Sequence, residues 1–147
     1  MKLHKAAHTV YKTPYHIVWV TRYRRKILVR GVAEALRILL QEVRKVHPDW
    51  FIEEIGIEVD DVHLHMVIPP KDAVAKVVAT LKSMTSARMK EKFPHFLRKV
   101  LRKVYWDGRG IWGRGFFVST VGINETIIRR YVRYQGEQDT GQAQLEF

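Results

Sequence analysis

The stretch FIEEIGIEVDDVHLHMVIPP, residues 51–70, decides the fold. In its first part Phe51, Ile55, Ile57 and Val59 fall on one parity, the two-residue period of a strand. Asp60-Asp61 turns the chain into a second strand, where Val62, Leu64, Met66 and Ile68 share one face. Asp61, His63 and His65 share the other face, and Pro69-Pro70 ends the run. The pair thus has one face for a core and one that carries a carboxylate and two imidazoles.

Upstream, TPYHIVWVTRYRRKIL (residues 13–28) predicts a strand from Tyr15 to Thr21, buried on both faces, followed by a basic loop. Val32, Ala35, Leu36, Leu39, Val43 and Val46 recur at helical spacing until His47-Pro48-Asp49 stops the helix. Downstream, Val74, Val77, Val78, Leu81 and Met84 mark a second helix, Pro94 interrupts, and a shorter basic helix covers FLRKVLRKV (96–104). GIWGRGFFVSTVG (110–122) reads as a Gly-punctuated aromatic strand. Asn124 is placed to cap a last helix, ETIIRRYVRYQ (125–135), and the polar tail of residues 136–147 reads as extended. The order β-α-β-β-α-β, with extra helices, predicts an α+β ferredoxin-like or RRM-like domain with helices on one sheet face. No repeat or linker divides residues 1–147, so one domain is expected.

Composition narrows the partners. Lys and Arg number 26 against 15 Asp and Glu, a net charge of +11 with a pI near 10.1. Such an excess predicts a polyanion, usually nucleic acid, rather than a small molecule. No apolar run approaches a membrane span, the first residues lack a signal-peptide core, and cysteine is absent. A cytoplasmic protein is expected.

Three constellations could carry chemistry. With 7 His in the chain, chance places an H-x-H in roughly one such sequence in three, so His63 and His65 mean little alone. The aligned Asp61 strengthens them, because imidazole with carboxylate suits a divalent ion such as Mn²⁺, Mg²⁺ or Zn²⁺. On the last helix Tyr131 and Gln135 are four apart and share a face. A phenol titrates near 10 and needs a metal or base to serve as nucleophile, while a Gln amide oxygen is a hard ligand. Finally, Arg22, Arg24, Arg25 and Lys26, with Arg98, Lys99, Arg102 and Lys103, are clusters that can neutralise phosphates. Tyr105, Trp106, Trp112 and Phe116, interleaved with Arg109 and Arg114, could stack unpaired bases.

Four segments, YHIVWVTRYR, DVHLHMVIPP, GIWGRGFFVSTVG and RRYVRYQ, stand in an order and at spacings that resemble the single-tyrosine HUH transposases of the IS200-like insertion sequences. The resemblance runs from about Pro14 to Gln135. It implies a homodimer that recognises a DNA hairpin near each element end and cleaves and rejoins the single-stranded ends through a 5′-phosphotyrosine with Mg²⁺ or Mn²⁺. Tyr131 matches the nucleophile, Gln135 the helix ligand and His63 a strand ligand. The family frame, counted back from Pro69-Pro70, puts Asp61 where the first histidine stands, whereas the literal H-x-H is His63-Leu64-His65. A shift of two keeps the face, so either Asp61 or His65 can partner His63, and a weakened site is the third alternative. Two other classes compete: a non-catalytic single-strand binding module, and a metal-dependent hydrolase that uses the strand histidines.

Overall fold

The computed structural model describes residues 3–105 and 110–139, with side chains described for 3–101 and 110–137. Four strands form one antiparallel sheet: β3 (Pro14–Val20), β4 (Phe51–Ile57), β5 (Asp61–Val67) and β6 (Phe117–Ser119), in the order β4-β5-β3-β6. With α1 (Arg30–Gln41) after β3 and α2 (Val74–Lys92) after β5, this is the expected split β-α-β arrangement. A short hairpin, β1 (His4–Lys5) with β2 (Val10–Tyr11), precedes it. Two-residue strands have too little length to show a period, so no pattern announces them.

The alternation along β3 and β5 sorts their side chains as expected. Ile17, Trp19, Val62, Leu64 and Met66 are fully buried in the core beneath α1 and α2, with Leu36, Leu40, Val77 and Leu81. Trp19 meets Trp112 edge to face at 5.8 Å, and the Trp112 indole donates to Thr85 Oγ1 at 2.9 Å. α3 (Pro94–Tyr105) starts at Pro94, whose missing N–H costs nothing in a first turn.

Four expectations need correction. The parity of β4 breaks, because the register with β5 shifts between Ile52 and Glu54. This bulge turns Ile52, Ile55 and Ile57 to the core and leaves Phe51 on the opposite face, against His4. The first helix tightens to 3₁₀ over Glu42–Lys45, which releases Val46 to solvent. The last helix, α4 (Glu125–Asp139), runs through Gly136 instead of ending there. A Cβ at position 136 would meet the Arg24 side chain, so this glycine serves a close approach between α4 and the loop after β3. The aromatic strand is shorter than expected: Phe117–Ser119 pairs with β3, and Trp112 makes an isolated bridge to Thr21.

Candidate active site

The second face of the sheet holds the candidate chemistry. Across β3 and β5, Val20 stands opposite Asp61, Val18 opposite His63 and His16 opposite His65. α4 lies over the Val18–Val20 end of this face, where Ile128, Tyr131 and Val132 pack on the two valines. Asn124 caps the helix as expected, its Oδ1 accepting from the Ile127 N–H at 2.9 Å. Helical spacing then carries Tyr131 and Gln135 down one face, and both are buried. The Tyr131 ring lies 5.8 Å from that of Phe117 on β6.

Asp61 is the deepest polar group on this face, with no solvent exposure. Arg129 Nη2 donates to both of its carboxylate oxygens at 2.8 Å, and Arg129 Nε pairs with Glu125 at 2.9 Å. Burial pushes the Asp61 carboxyl up to about 6, against the pull of Arg129, and neighbouring Asp60 adds to the rise. Asp60 in turn accepts from Arg24 Nε at 3.2 Å. The two aspartates of the β4–β5 turn therefore each hold an arginine, one on α4 and one in the loop after β3.

The histidines diverge from Asp61. His63 lies over Gly56 of β4, where a Cβ would overlap its ring. His65 stacks on His16, centroids 4.5 Å apart and planes 5° from parallel, with its Nδ1 3.6 Å from Glu53. Burial, then His65, holds the His16 imidazole below its ordinary pKa. Gln135 Nε2 donates to the Arg114 carbonyl at 2.6 Å. The carbonyls on either side, of Gly113 and Gly115, accept from Lys82 Nζ at 2.7 and 3.0 Å. The 113–115 strap is thus gripped from α2 and α4 in turn, and its middle carbonyl orients the Gln135 amide.

A divalent cation suits these donors in kind: a carboxylate, an imidazole and an amide oxygen. His63 Nδ1 is buried and has no hydrogen-bond partner among the described residues, a condition that costs about 1–3 kcal/mol and that a cation could relieve. The arrangement does not fit one. Both Asp61 oxygens are taken by Arg129, and among the described residues no three His, Asp or Glu side chains converge on a metal position.

The basic clusters divide. Arg22 is buried and Arg24 is committed to Asp60 and the α4 contact, so these two build the joint beneath α4 rather than a phosphate grip. Tyr23 and Arg24 both sit at φ 53°, a left-handed conformation costing roughly 1–2 kcal/mol per residue. Arg25 is half-buried, whereas Lys26, Arg98 and Lys99 are exposed. The side chains of Arg102, Lys103 and Tyr105, and all of Trp106 and Arg109, lie outside the described residues. Sequence reasoning missed Arg129, Gly56 and His16. A buried carboxylate demands a cation, which was the available signal for Arg129, but three arginines on α4 offered themselves equally.

Gly56→Ala is expected to push the His63 ring off its place while leaving the fold intact, since β4 is an edge strand. Melting should change by no more than about 1 kcal/mol, and the His63 imidazole resonances should shift. Unmoved His63 resonances would show that the ring accommodates the new methyl where it stands.

By fold, the molecule stands with the transposases. It superposes on a crystallographically solved Deinococcus radiodurans R1 protein assigned as a transposase, with a TM-score of 0.75 and 28% identity, over 90% of this chain and 97% of that one. A REP-associated tyrosine transposase bound to a REP hairpin shares the fold at TM-score 0.53 and 15% identity, over 96% of this chain and 74% of that one. The family model for IS200-like transposases matches residues 9–135, and the chain belongs to that family. It is 34% identical over 143 residues to the transposase for insertion sequence element IS200 of Salmonella typhimurium, covering 95% of this chain and 87% of that protein. The ISDra2 transposase TnpA of Deinococcus radiodurans is 28% identical over 142 residues, 95% of each chain. The activity is DNA transposition. Among the described residues no helix is long and apolar enough to cross a membrane.

Proposed function

We propose that the protein cleaves and rejoins single-stranded insertion-sequence ends through a covalent 5′-phosphotyrosine on Tyr131. One observation carries this reading: α4 lays Tyr131, with Gln135 one turn on, over the sheet face that bears Asp61 and His63. The phenol oxygen attacks phosphorus, the bond to the 3′ oxygen breaks, and that oxygen takes up a proton as the phenol loses one. The phosphodiester's bond energy passes to the tyrosine ester, so a 3′-hydroxyl can reverse the step and join new ends without ATP. Asp61, His63 and Gln135 are donors of the kind Mg²⁺ or Mn²⁺ takes, but as they stand, with both Asp61 oxygens on Arg129, they do not hold one. The Arg114 carbonyl orients the Gln135 amide by accepting from its Nε2. The assembly is a homodimer in this reading, and the DNA carries a hairpin near each end. Exposed Lys26, Arg98 and Lys99 are its natural phosphate contacts.

The test is to incubate the protein with single-stranded DNA bearing the element ends and Mn²⁺, then to look for a protein–DNA adduct that survives denaturation. Binding without an adduct would favour a plain single-strand binding module. Cleavage without an adduct would favour a hydrolase.

A further inference from the structure

The misfit of these donors to a metal has a positive counterpart. Both oxygens of the Asp61 carboxylate accept from Arg129 Nη2 at 2.8 Å, so the buried end of the site already holds a cation. We infer that this guanidinium is itself a catalytic residue: it meets the charge of the scissile phosphate in place of a divalent metal, and strand cleavage by Tyr131 needs no metal ion. The inference rests on Tyr131 being the nucleophile, as proposed above.

Arg129 and Tyr131 stand on one helix and reach the same end of the sheet. Val20 is the register partner of Asp61 and also belongs to the cluster in which Tyr131 packs. One rigid element thus carries both the phenol and the guanidinium to this valine, which fixes the spacing between nucleophile and charge. The contacts already made here leave a divalent ion no set of ligands. Neither Asp61 oxygen is open, His63 lies over Gly56, and the Gln135 amide is held by the Arg114 carbonyl.

The guanidinium is oriented without being used up. It has more N–H groups than one carboxylate can take. Asp61 takes those of Nη2 from the buried side, Glu125 lies 2.9 Å from Nε, and Nη1 has no hydrogen-bond partner among the described residues. The Arg129 side chain is 40% exposed, so Nη1 can donate to a phosphate oxygen. The Glu125 side chain is 68% exposed, so water screens it, and it steers the guanidinium more than it neutralises it. A charge already aimed before the phosphate arrives costs no reorganisation during the reaction. In the step itself the phenol oxygen bonds to phosphorus and the bond to the 3′ oxygen breaks. That oxygen takes up the proton the phenol loses, and Arg129 stays protonated throughout.

The experiment incubates the full chain with single-stranded DNA bearing the element ends, in EDTA or in Mn²⁺, and reads the adduct on a denaturing gel. Wild type should form it in EDTA within about threefold of its rate in Mn²⁺. Arg129→Gln should form it on the order of 100-fold more slowly, and Arg129→Lys should recover part of that loss. A merely structural staple would also lose activity in Arg129→Gln, so a second substrate separates the roles. A methylphosphonate at the scissile position removes the charge that the guanidinium meets, and on it Arg129→Gln should cleave within a few-fold of wild type. An equal deficit on both substrates, or a wild-type adduct that forms in Mn²⁺ and not in EDTA, would overturn the inference. No adduct in either buffer would sink the Tyr131 reading and take the phosphate contact with it. Mn²⁺ EPR on the protein without DNA tests the resident cation separately: wild type should hold no ion that Asp61→Asn releases. A bound Mn²⁺ lost with Asp61→Asn would overturn the inference whatever the adduct shows.

Discussion

Tyr131→Phe is expected to bind single-stranded element ends within about twofold of wild type and to form no covalent adduct, a loss of cleavage on the order of 10³-fold or more. The substitution removes the oxygen proposed to attack and nothing else of size. The ring keeps its packing on Val18, Val20 and Phe117, so melting should stay within about 1 kcal/mol of wild type. A denaturing gel with end-labelled DNA reads the adduct, and a gel shift on the same DNA reads binding. Tyr134 is the internal control. It lies three residues on, half-buried at the margin of the same cluster, and Tyr134→Phe should cleave normally. An adduct that persists in Tyr131→Phe but vanishes in Tyr134→Phe would move the nucleophile to Tyr134. Cleavage that survives in Tyr131→Phe without any adduct would instead point to water as the nucleophile.

Most of the fold was legible because its elements are long and periodic. Val62, Leu64 and Met66 alternate with Asp61, His63 and His65, and the structure divides those six between the two faces as the parity requires. Legibility failed where one residue changed the count. The bulge at Glu53 adds a residue to β4, so Phe51 lands on the face opposite Ile55 and Ile57. Gly136 looked like a helix end because glycine usually is one. Its reason for being there, the Arg24 side chain against α4, is a tertiary contact that no local pattern announces. The site shows the same limit. Tyr131 and Gln135 could be placed on one face by spacing, and Asp61 beside the histidines by parity. That Arg129, rather than Arg130 or Arg133, would sit on Asp61 depends on how α4 crosses the sheet.

Asp61→Asn and His65→Ala, compared side by side, are expected to have opposite consequences. Asp61 lies under the helix that carries Tyr131 and Gln135, whereas His65 is stacked on His16 and faces Glu53. Loss of the carboxylate should therefore lower adduct formation roughly 100-fold or more, while His65→Ala should stay within a few-fold. Stability should move the other way. Burial lifts the folded-state pKa of Asp61 from 3.8 to about 6, so between those values the folded protein holds a proton that the unfolded chain has lost. This group's contribution to stability accordingly falls as pH rises through that window, and the penalty is complete above about 6. At neutral pH it amounts to a cost on the order of 2–3 kcal/mol. In chelator, Asp61→Asn should melt at or above the wild-type temperature at pH 7.5, and its advantage should shrink by pH 5. Taking the difference between the two proteins at each pH cancels the other titrating groups, His16 among them. A variant that is several kcal/mol less stable at pH 7.5 would mean that the Arg129 pair holds the fold together, as a broken buried ion pair usually does. The expected gain would mark Asp61 as a group kept at the expense of stability, as a carboxylate retained for function beneath the tyrosine helix should be.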